Sequence, residues 1–182
     1  MLSFLLSILF FAIETPQPQE KLNIRADKES STLNYKAVHK LHSWTAANKS
    51  FDCIVIYDTE TQKADKVAVS AKVSDFDSGN SSRDSHALEV LHAIKHPKVT
   101  FVSTKILETV SNKLYIDGNL TFHGISKAIS FEGQRQNDGK KITIKGEFPV
   151  SLTAHDVERP TLMFVATNDI IKISFEIVFK LP

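Results

Sequence analysis

Apolar and polar residues alternate with a period of two over most of this chain. Leu33, Tyr35 and Ala37 interleave with Asn34 and Lys36, and Val67, Val69, Ala71 and Val73 interleave with Ala68, Ser70 and Lys72. Further on, Leu114, Ile116, Leu120 and Phe122 alternate with Tyr115, Asp117, Asn119 and Thr121, with Gly118 in register. Ile142 and Ile144 flank Thr143, while Ile171, Ile173, Phe175, Ile177 and Phe179 alternate with Lys172, Ser174, Glu176 and Val178. This is the period of a strand with one buried and one wet face. Turn signals lie between these runs: a polar stretch at 58–66, Gly124 to Ser126, and Asn137-Asp138-Gly139, whose glycine tolerates the positive φ of a tight hairpin. Many strands in close succession, with no repeat, predict one antiparallel all-β domain, either a sandwich or a closed barrel.

Residues 83–95 break the pattern. Ala87, Leu91 and Ile94 recur at helical spacing with Leu88 beside them, Ser82 is placed to cap the start, and Lys95 suits the negative end of the helix dipole. Pro97 disfavours helical geometry at His96 and closes the segment. One amphipathic helix on an antiparallel sheet predicts a lid or plug over an open barrel end. At its start lies the one dense polar group of the sequence, Arg83, Asp84 and His86. A nucleophile at Ser85 activated by His86 is disfavoured, because adjacent residues rarely reach that geometry and no glycine elbow surrounds the serine. Two roles remain open for the group. Asp84 bonds amides at the helix start while Arg83 and His86 pair with neighbouring loops, or Arg83 and His86 hold a polar ligand group at the barrel mouth.

Charge and composition narrow the partners. The 182 residues fit one domain with a sizeable core, and a formal charge of +1 argues against a polyanion such as nucleic acid. The single cysteine, Cys53, sits in a strand-like run and reads as a small buried hydrophobe. Seven histidines raise a metal reading, but the pairs His39/His42 and His92/His96 lack an obvious third donor, so hydrogen-bonded or surface histidine is expected. Trp44 reads as a core anchor whose indole N–H finds a partner, or as a plug for the closed end of a barrel. Residues 1–12 have the length and apolarity of a signal-peptide core, too short for the roughly twenty residues of a membrane span. The expected organisation is a signal peptide and linker over 1–20 and a barrel domain over 21–182, exported to a periplasm or secreted.

Three ordered motifs then carry a resemblance: Arg83 to His86, His96 to Ser103, and Tyr115 to Lys127. In these the chain resembles the YceI-like, polyisoprenoid-binding family from about Ser31 to Phe179, although His96 stands where the family commonly has an aromatic residue before the proline and Ser126 where it has threonine. The resemblance implies an eight-stranded, lipocalin-like antiparallel β-barrel with one short helix, enclosing an elongated apolar tunnel for a long-chain isoprenoid or other amphiphilic lipid. With each strand's apolar face inward, the expected lipid-binding side chains are Leu33, Tyr35, Val67, Val69, Val99, Phe101, Leu120, Phe122, Ile173, Phe175 and Ile177. Arg83, Asp84 and His86 are expected to organise the mouth and meet a polar head. The expected function is non-enzymatic lipid binding for transport, storage or stress protection, with no cofactor, metal or nucleic acid, and with room for a homodimer. Two rival classes stay open: an exported structural or interaction barrel filled by its own side chains, which twelve phenylalanines make credible, and an enzyme acting on the bound lipid.

Overall fold

Strand pairing follows the alternation. The computed structural model describes residues 21–162 and 164–181, so the signal-peptide expectation for 1–20 lies outside the described residues. The strands are β1 (Lys21–Arg25), β2 (Thr32–His39), β3 (His42–Asn48), β4 (Asp52–Asp58), β5 (Lys63–Lys72), β6 (Lys98–Glu108), β7 (Lys113–Phe122), β8 (Ile125–Asn137), β9 (Lys141–Ser151), β10 (Thr161–Leu162), β11 (Val165–Ala166) and β12 (Ile170–Lys180). One α-helix, α1 (Ser81–Val90), interrupts them between β5 and β6, and short 3-10 turns occupy Val73–Asp75 and Thr153–His155.

All pairings are antiparallel, and the main sheet runs β1-β4-β5-β6-β7-β8-β9-β12-β2-β3, with β10 and β11 forming a small hairpin apart. The sheet curls so that its first strand meets a distant one: Ala26, just after β1, bridges Phe179 of β12, and the Asp27 N–H donates to the Val178 carbonyl at 2.7 Å. Along its other half β12 pairs with β2, from Lys172↔Lys36 to Glu176↔Thr32. Successive parts of β12 thus share one edge between β2 and β1, which is how the barrel closes.

Eight strands were expected, and the main sheet has ten. The two that the alternation did not reveal are β1 and β3. The first is short, with only Leu22 and Ile24 between polar residues. The second buries small residues, Ala46 and Asn48, both at 0% exposure. Asn48 is tolerated there because Oδ1 accepts from the Ser50 N–H at 2.7 Å and Nδ2 donates to the Lys72 carbonyl at 3.4 Å. The helix also differs from expectation. Its cap is Asn80, whose side chain accepts from the Arg83 N–H at 3.0 Å, and not Ser82. It ends at Val90, well before Lys95 and Pro97, because the chain turns at His92, where φ is +45°. The Asn137–Gly139 hairpin forms as expected, with φ +85° at Gly139.

Inside, two glycines make room for aromatic rings. Gly146 of β9 lies opposite Phe175 of β12, and a Cβ at Gly146 would sit 2.6 Å from the Phe175 ring and 2.8 Å from the Glu132 carbonyl oxygen. Gly118 of β7 likewise lies under the Phe101 ring. With these rings seated, Phe131 packs 5.4 Å from Phe101, 4.6 Å from Phe148 and 5.8 Å from Phe175, centroid to centroid. A four-phenylalanine waist therefore crosses the barrel. Beyond it, Tyr57, Ile142 and Phe179 pack towards the far end, in one cluster with Phe51, Val55 and the Cys53 thiol, whose pKa burial pushes up to about 12. The inward-facing Arg135 and Glu108 close that end with an ion pair at 3.0 Å, their side chains only 12% and 9% exposed, and Arg135 also donates to the Gln62 carbonyl.

Two stability outcomes follow from this packing. Gly146→Ala, which forces a ring and a backbone carbonyl apart, is expected to cost about 1–3 kcal/mol in urea unfolding. Arg135→Met alone, which strands the Glu108 carboxylate, is expected to cost about 3 kcal/mol, and adding Glu108→Leu should recover most of that loss.

Candidate functional site

Under α1 the barrel encloses an apolar chamber of about 240 Å³, lined also by the waist rings and by Phe51, Val55 and Phe179. All eleven side chains that the alternation turned inward line it, from Leu33 and Tyr35 on β2 to Phe175 and Ile177 on β12. Others complete the wall: Trp44, Phe131, Phe148, Val150, Leu152 and Ile171. Of these, Phe131 and Phe148 lie in strand stretches whose inward neighbours are glycines, Gly133 and Gly146, so the apolar alternation is interrupted there. Helix α1 forms the roof, contributing Asp84, Ala87, Leu88, Val90 and Leu91. No residue of the helix is fully buried, so it covers the chamber without being packed into it.

The polar group at the start of α1 divides its roles. The Asp84 carboxylate accepts from the Ser78 N–H at 3.2 Å to each oxygen, tying the helix start to the preceding loop, and it is the one charged side chain that reaches the chamber wall. Arg83 lies over the Trp44 ring, 5.4 Å from its centroid, and does not line the chamber. His86 points along the helix towards Glu89, with Nδ1 to Oε2 at 3.5 Å, and is half exposed. The His86 imidazole is therefore turned to a carboxylate, and the arrangement that would activate Ser85 is not formed. Of the three residues expected at the mouth, the structure brings only Asp84 to the chamber.

Trp44 is neither a plug for the closed end nor a satisfied anchor. It stands on β3 under the first turn of α1, and its buried indole N–H makes no hydrogen bond. Burial raises the pKa of the neighbouring Tyr35 phenol above its ordinary value, an effect that the indole of Trp44 opposes. His39 bonds the Val165 carbonyl through Nε2 at 3.0 Å, holding the β2–β3 turn to the β10–β11 hairpin. His39 is thus a hydrogen-bonded histidine.

At the other end of α1 lies a cluster that sequence reading missed. His92, His96, His123 and His155 come from three separate segments and meet beside the helix C-terminus. His92 Nδ1 lies 3.1 Å from His123 Nε2, the rings of His96 and His123 are 4.5 Å apart, and His123 Nδ1 donates to the His155 carbonyl at 3.1 Å. The corner carrying His155 is braced by Asp169, which accepts from the Ser151 hydroxyl at 2.6 Å and the Thr153 N–H at 2.8 Å. The Ser151 bond first, then the Thr153 amide, holds its carboxyl below the usual carboxylate range. The sequence signal available was His96 in place of an aromatic residue before Pro97. Gly124, which has room for no Cβ because the His96 ring lies there, was read only as a turn residue.

The solved structures resembling this fold share its architecture. BcnA of Burkholderia cenocepacia superposes with a TM-score of 0.75 at 23% identity, covering 84% of this chain and 98% of that one. A polyisoprenoid binding domain from Saccharophagus degradans, implicated in plant cell wall breakdown, superposes with a TM-score of 0.69 at 14% identity, covering 91% and 100%. In sequence, Protein YceI of Salmonella newport is 31% identical over 76% of this chain and 73% of its own length. The model of the YceI-like domain matches residues 25–179. With that match spanning the barrel from the end of β1 to β12, the chain belongs to the YceI-like family.

Proposed function

We propose that this protein is a non-enzymatic carrier that holds one long, uncharged hydrocarbon chain, of the polyisoprenoid class, in the chamber under α1. The observation that carries the reading is the character of the wall: among the described residues it is apolar almost throughout, no Lys, Arg or His contributes to it, and its one charge is the Asp84 carboxylate at the roof. Burying hydrocarbon there is worth about 0.8 kcal/mol per methylene, so affinity grows with chain length without any specific polar contact. A free fatty acid fits less well than an isoprenoid, because its carboxylate would meet Asp84 and find no cation inside. The chain enters tail first, with any charged head left outside the mouth, where Arg83 lies. The volume of about 240 Å³ is below the usual range for ligand sites. The waist rings Phe101, Phe131, Phe148 and Phe175 therefore set how deep a chain reaches, and a longer one requires them to turn. The polyisoprenoid-binding domain with the same fold supports this ligand class, as does the family. The apolar run at residues 1–12 supports export, which cell fractionation of the full chain would check.

Mass spectrometry of gently purified protein should show a co-purifying neutral lipid, or uptake of an added isoprenoid alcohol in preference to palmitate. No bound lipid and no uptake of either would mean a barrel closed by its own phenylalanines. Recovery of a chemically altered lipid after prolonged incubation would mean an enzyme instead. Val69→Asp places a charge on the chamber wall and should reduce isoprenoid binding by at least about tenfold. Lys72→Asp, on the exposed face of the same strand, should leave it within about twofold.

A further inference from the structure

The lid of the chamber is held at both ends, and the two holds differ in kind. At its start the holds are the Asn80 cap, the Asp84 carboxylate on the Ser78 N–H and the Arg83–Trp44 contact. At its end, the chain leaves α1 through His92, and from there its side-chain anchorage is by imidazole. His123 Nδ1 faces a carbonyl, that of His155, and so carries the proton. Its Nε2 is then the acceptor, and the His92 Nδ1–H donates to it. The His155 Nδ1 likewise faces the Ser151 carbonyl at 2.9 Å, leaving its buried Nε2 as a lone pair with no partner. The bonds to the two carbonyls fix only which nitrogen donates; the one that needs a neutral ring is the His92–His123 contact, because a His123 protonated at Nε2 has no lone pair there to accept.

The backbone is built around the cluster. His92 and His123 both hold left-handed φ, +45° and +49°, a conformation that non-glycine residues adopt at a cost. Gly124, at φ +77°, lets the His96 ring approach to where its own Cβ would be, 2.7 Å from His96 Cε1. The charged groups beside the cluster are Lys95 and, at the corner that carries His155, the Asp169 carboxylate, which is bonded to the Ser151 hydroxyl and the Thr153 N–H. Among the described residues no carboxylate forms an ion pair with His92, His96, His123 or His155.

We propose that this cluster is a proton-operated latch for α1, closed while its imidazoles are neutral and released when two protons enter it, so that the chamber opens in acid. The His92–His123 pair accommodates one proton by moving the His92 hydrogen to Nε2. That leaves a cation against the His96 ring with no carboxylate in ion-pair contact among the described residues. A second proton places two imidazolium ions across a 3.1 Å contact with Lys95 nearby, and like charges at that distance repel by several kcal/mol once partly desolvated. The titration of His96 has the matching sign. Burial first, then His123, Lys95 and His92, hold its pKa below the ordinary 6.5. A histidine depressed in the closed state takes up a proton on release. The closed state is therefore fully favoured above the ordinary value and loses that advantage as pH falls through the depressed one.

The latch rests on α1 being the lid of a ligand chamber, so the test reads the lid and the ligand separately. Hydrogen exchange of the full chain, corrected for intrinsic rate, should show protection over residues 87–96 falling about tenfold or more between about pH 7.5 and about pH 5, while β7 and β9 keep theirs. His92→Asn and His123→Asn, whose side chain tolerates left-handed backbone, should each abolish most of that dependence; the exposed His92 gives a variant that leaves the buried ring in place. Release of N-phenyl-1-naphthylamine, a neutral apolar probe, should accelerate in acid in the parent protein alone. Unchanged lid protection in acid, equal loss in β7 and β9, or the same pH dependence in both variants would each overturn the latch. A probe that binds at neither pH would defeat the carrier reading, and lid exchange would still decide the latch.

Discussion

The constraint on which the rest of this structure depends is the closure of the sheet upon itself. Once Ala26 bridges Phe179 and β12 is shared between β2 and β1, every inward side chain is committed to one enclosed volume. A ten-stranded sheet encloses more than aliphatic side chains of ordinary length fill. The chain handles this unevenly. The far end is narrowed by Tyr57, Ile142 and Phe179 and closed by the Glu108–Arg135 pair, the middle is crossed by aromatic rings seated over Gly118 and Gly146, and the space under α1 is left hollow. The hollow is thus a consequence of where the large residues stand. A barrel with phenylalanines spread evenly along its axis would have no chamber.

That unevenness also explains why the roof is a helix. Continuing the strands over the open end would expose unpaired backbone groups, whereas a helix satisfies its own backbone and needs only an apolar stripe. Ala87, Leu88 and Leu91 supply the stripe. Because no residue of α1 is fully buried, the cohesion of the lid lies in its two ends more than in its face. A roof of this kind opens by loosening one anchor, without disturbing the ladder hydrogen bonds that hold the barrel. The separation of a rigid wall from a lightly held cover is what a carrier of poorly soluble chains requires, since such a chain must be sheltered and then let go.

Much of this was legible in the sequence, and the reason is physical. Period-two alternation reports which face of a strand is buried, and in a closed barrel the buried face is the lining, so the wall residues could be read directly. What alternation does not report is burial of small or polar residues, which is why β3, with Ala46 and Asn48 inward, escaped notice. Nor does it report side-chain direction within a helix start. Arg83 and His86 stand beside Asp84 in sequence, yet one turns back over Trp44 and the other runs along the helix surface, and only Asp84 reaches the chamber. The histidine cluster was the least legible part, because proximity among residues 92, 96, 123 and 155 is created by the fold, through the turn after α1, the β7–β8 turn and the corner after β9.

The two polar features at the mouth have one logic in common. An apolar chamber gains nothing from charge in its wall, and any ion buried there without a partner would cost several kcal/mol. Charge is therefore kept to the ends of the lid. At the start of α1 it is satisfied: Asp84 is bonded to a backbone amide and Arg83 lies over an aromatic face. At the end of α1 it is latent, carried by imidazoles: the His155 and Ser151 carbonyls fix which nitrogen donates, and the His92–His123 contact needs one ring to accept. Had both anchors been of the first kind, the lid would be fixed. Had both been of the second, acid would detach the helix altogether. One satisfied anchor and one of imidazole make a hinge and a catch, so that protonation swings the roof while the barrel and the helix start stay in place.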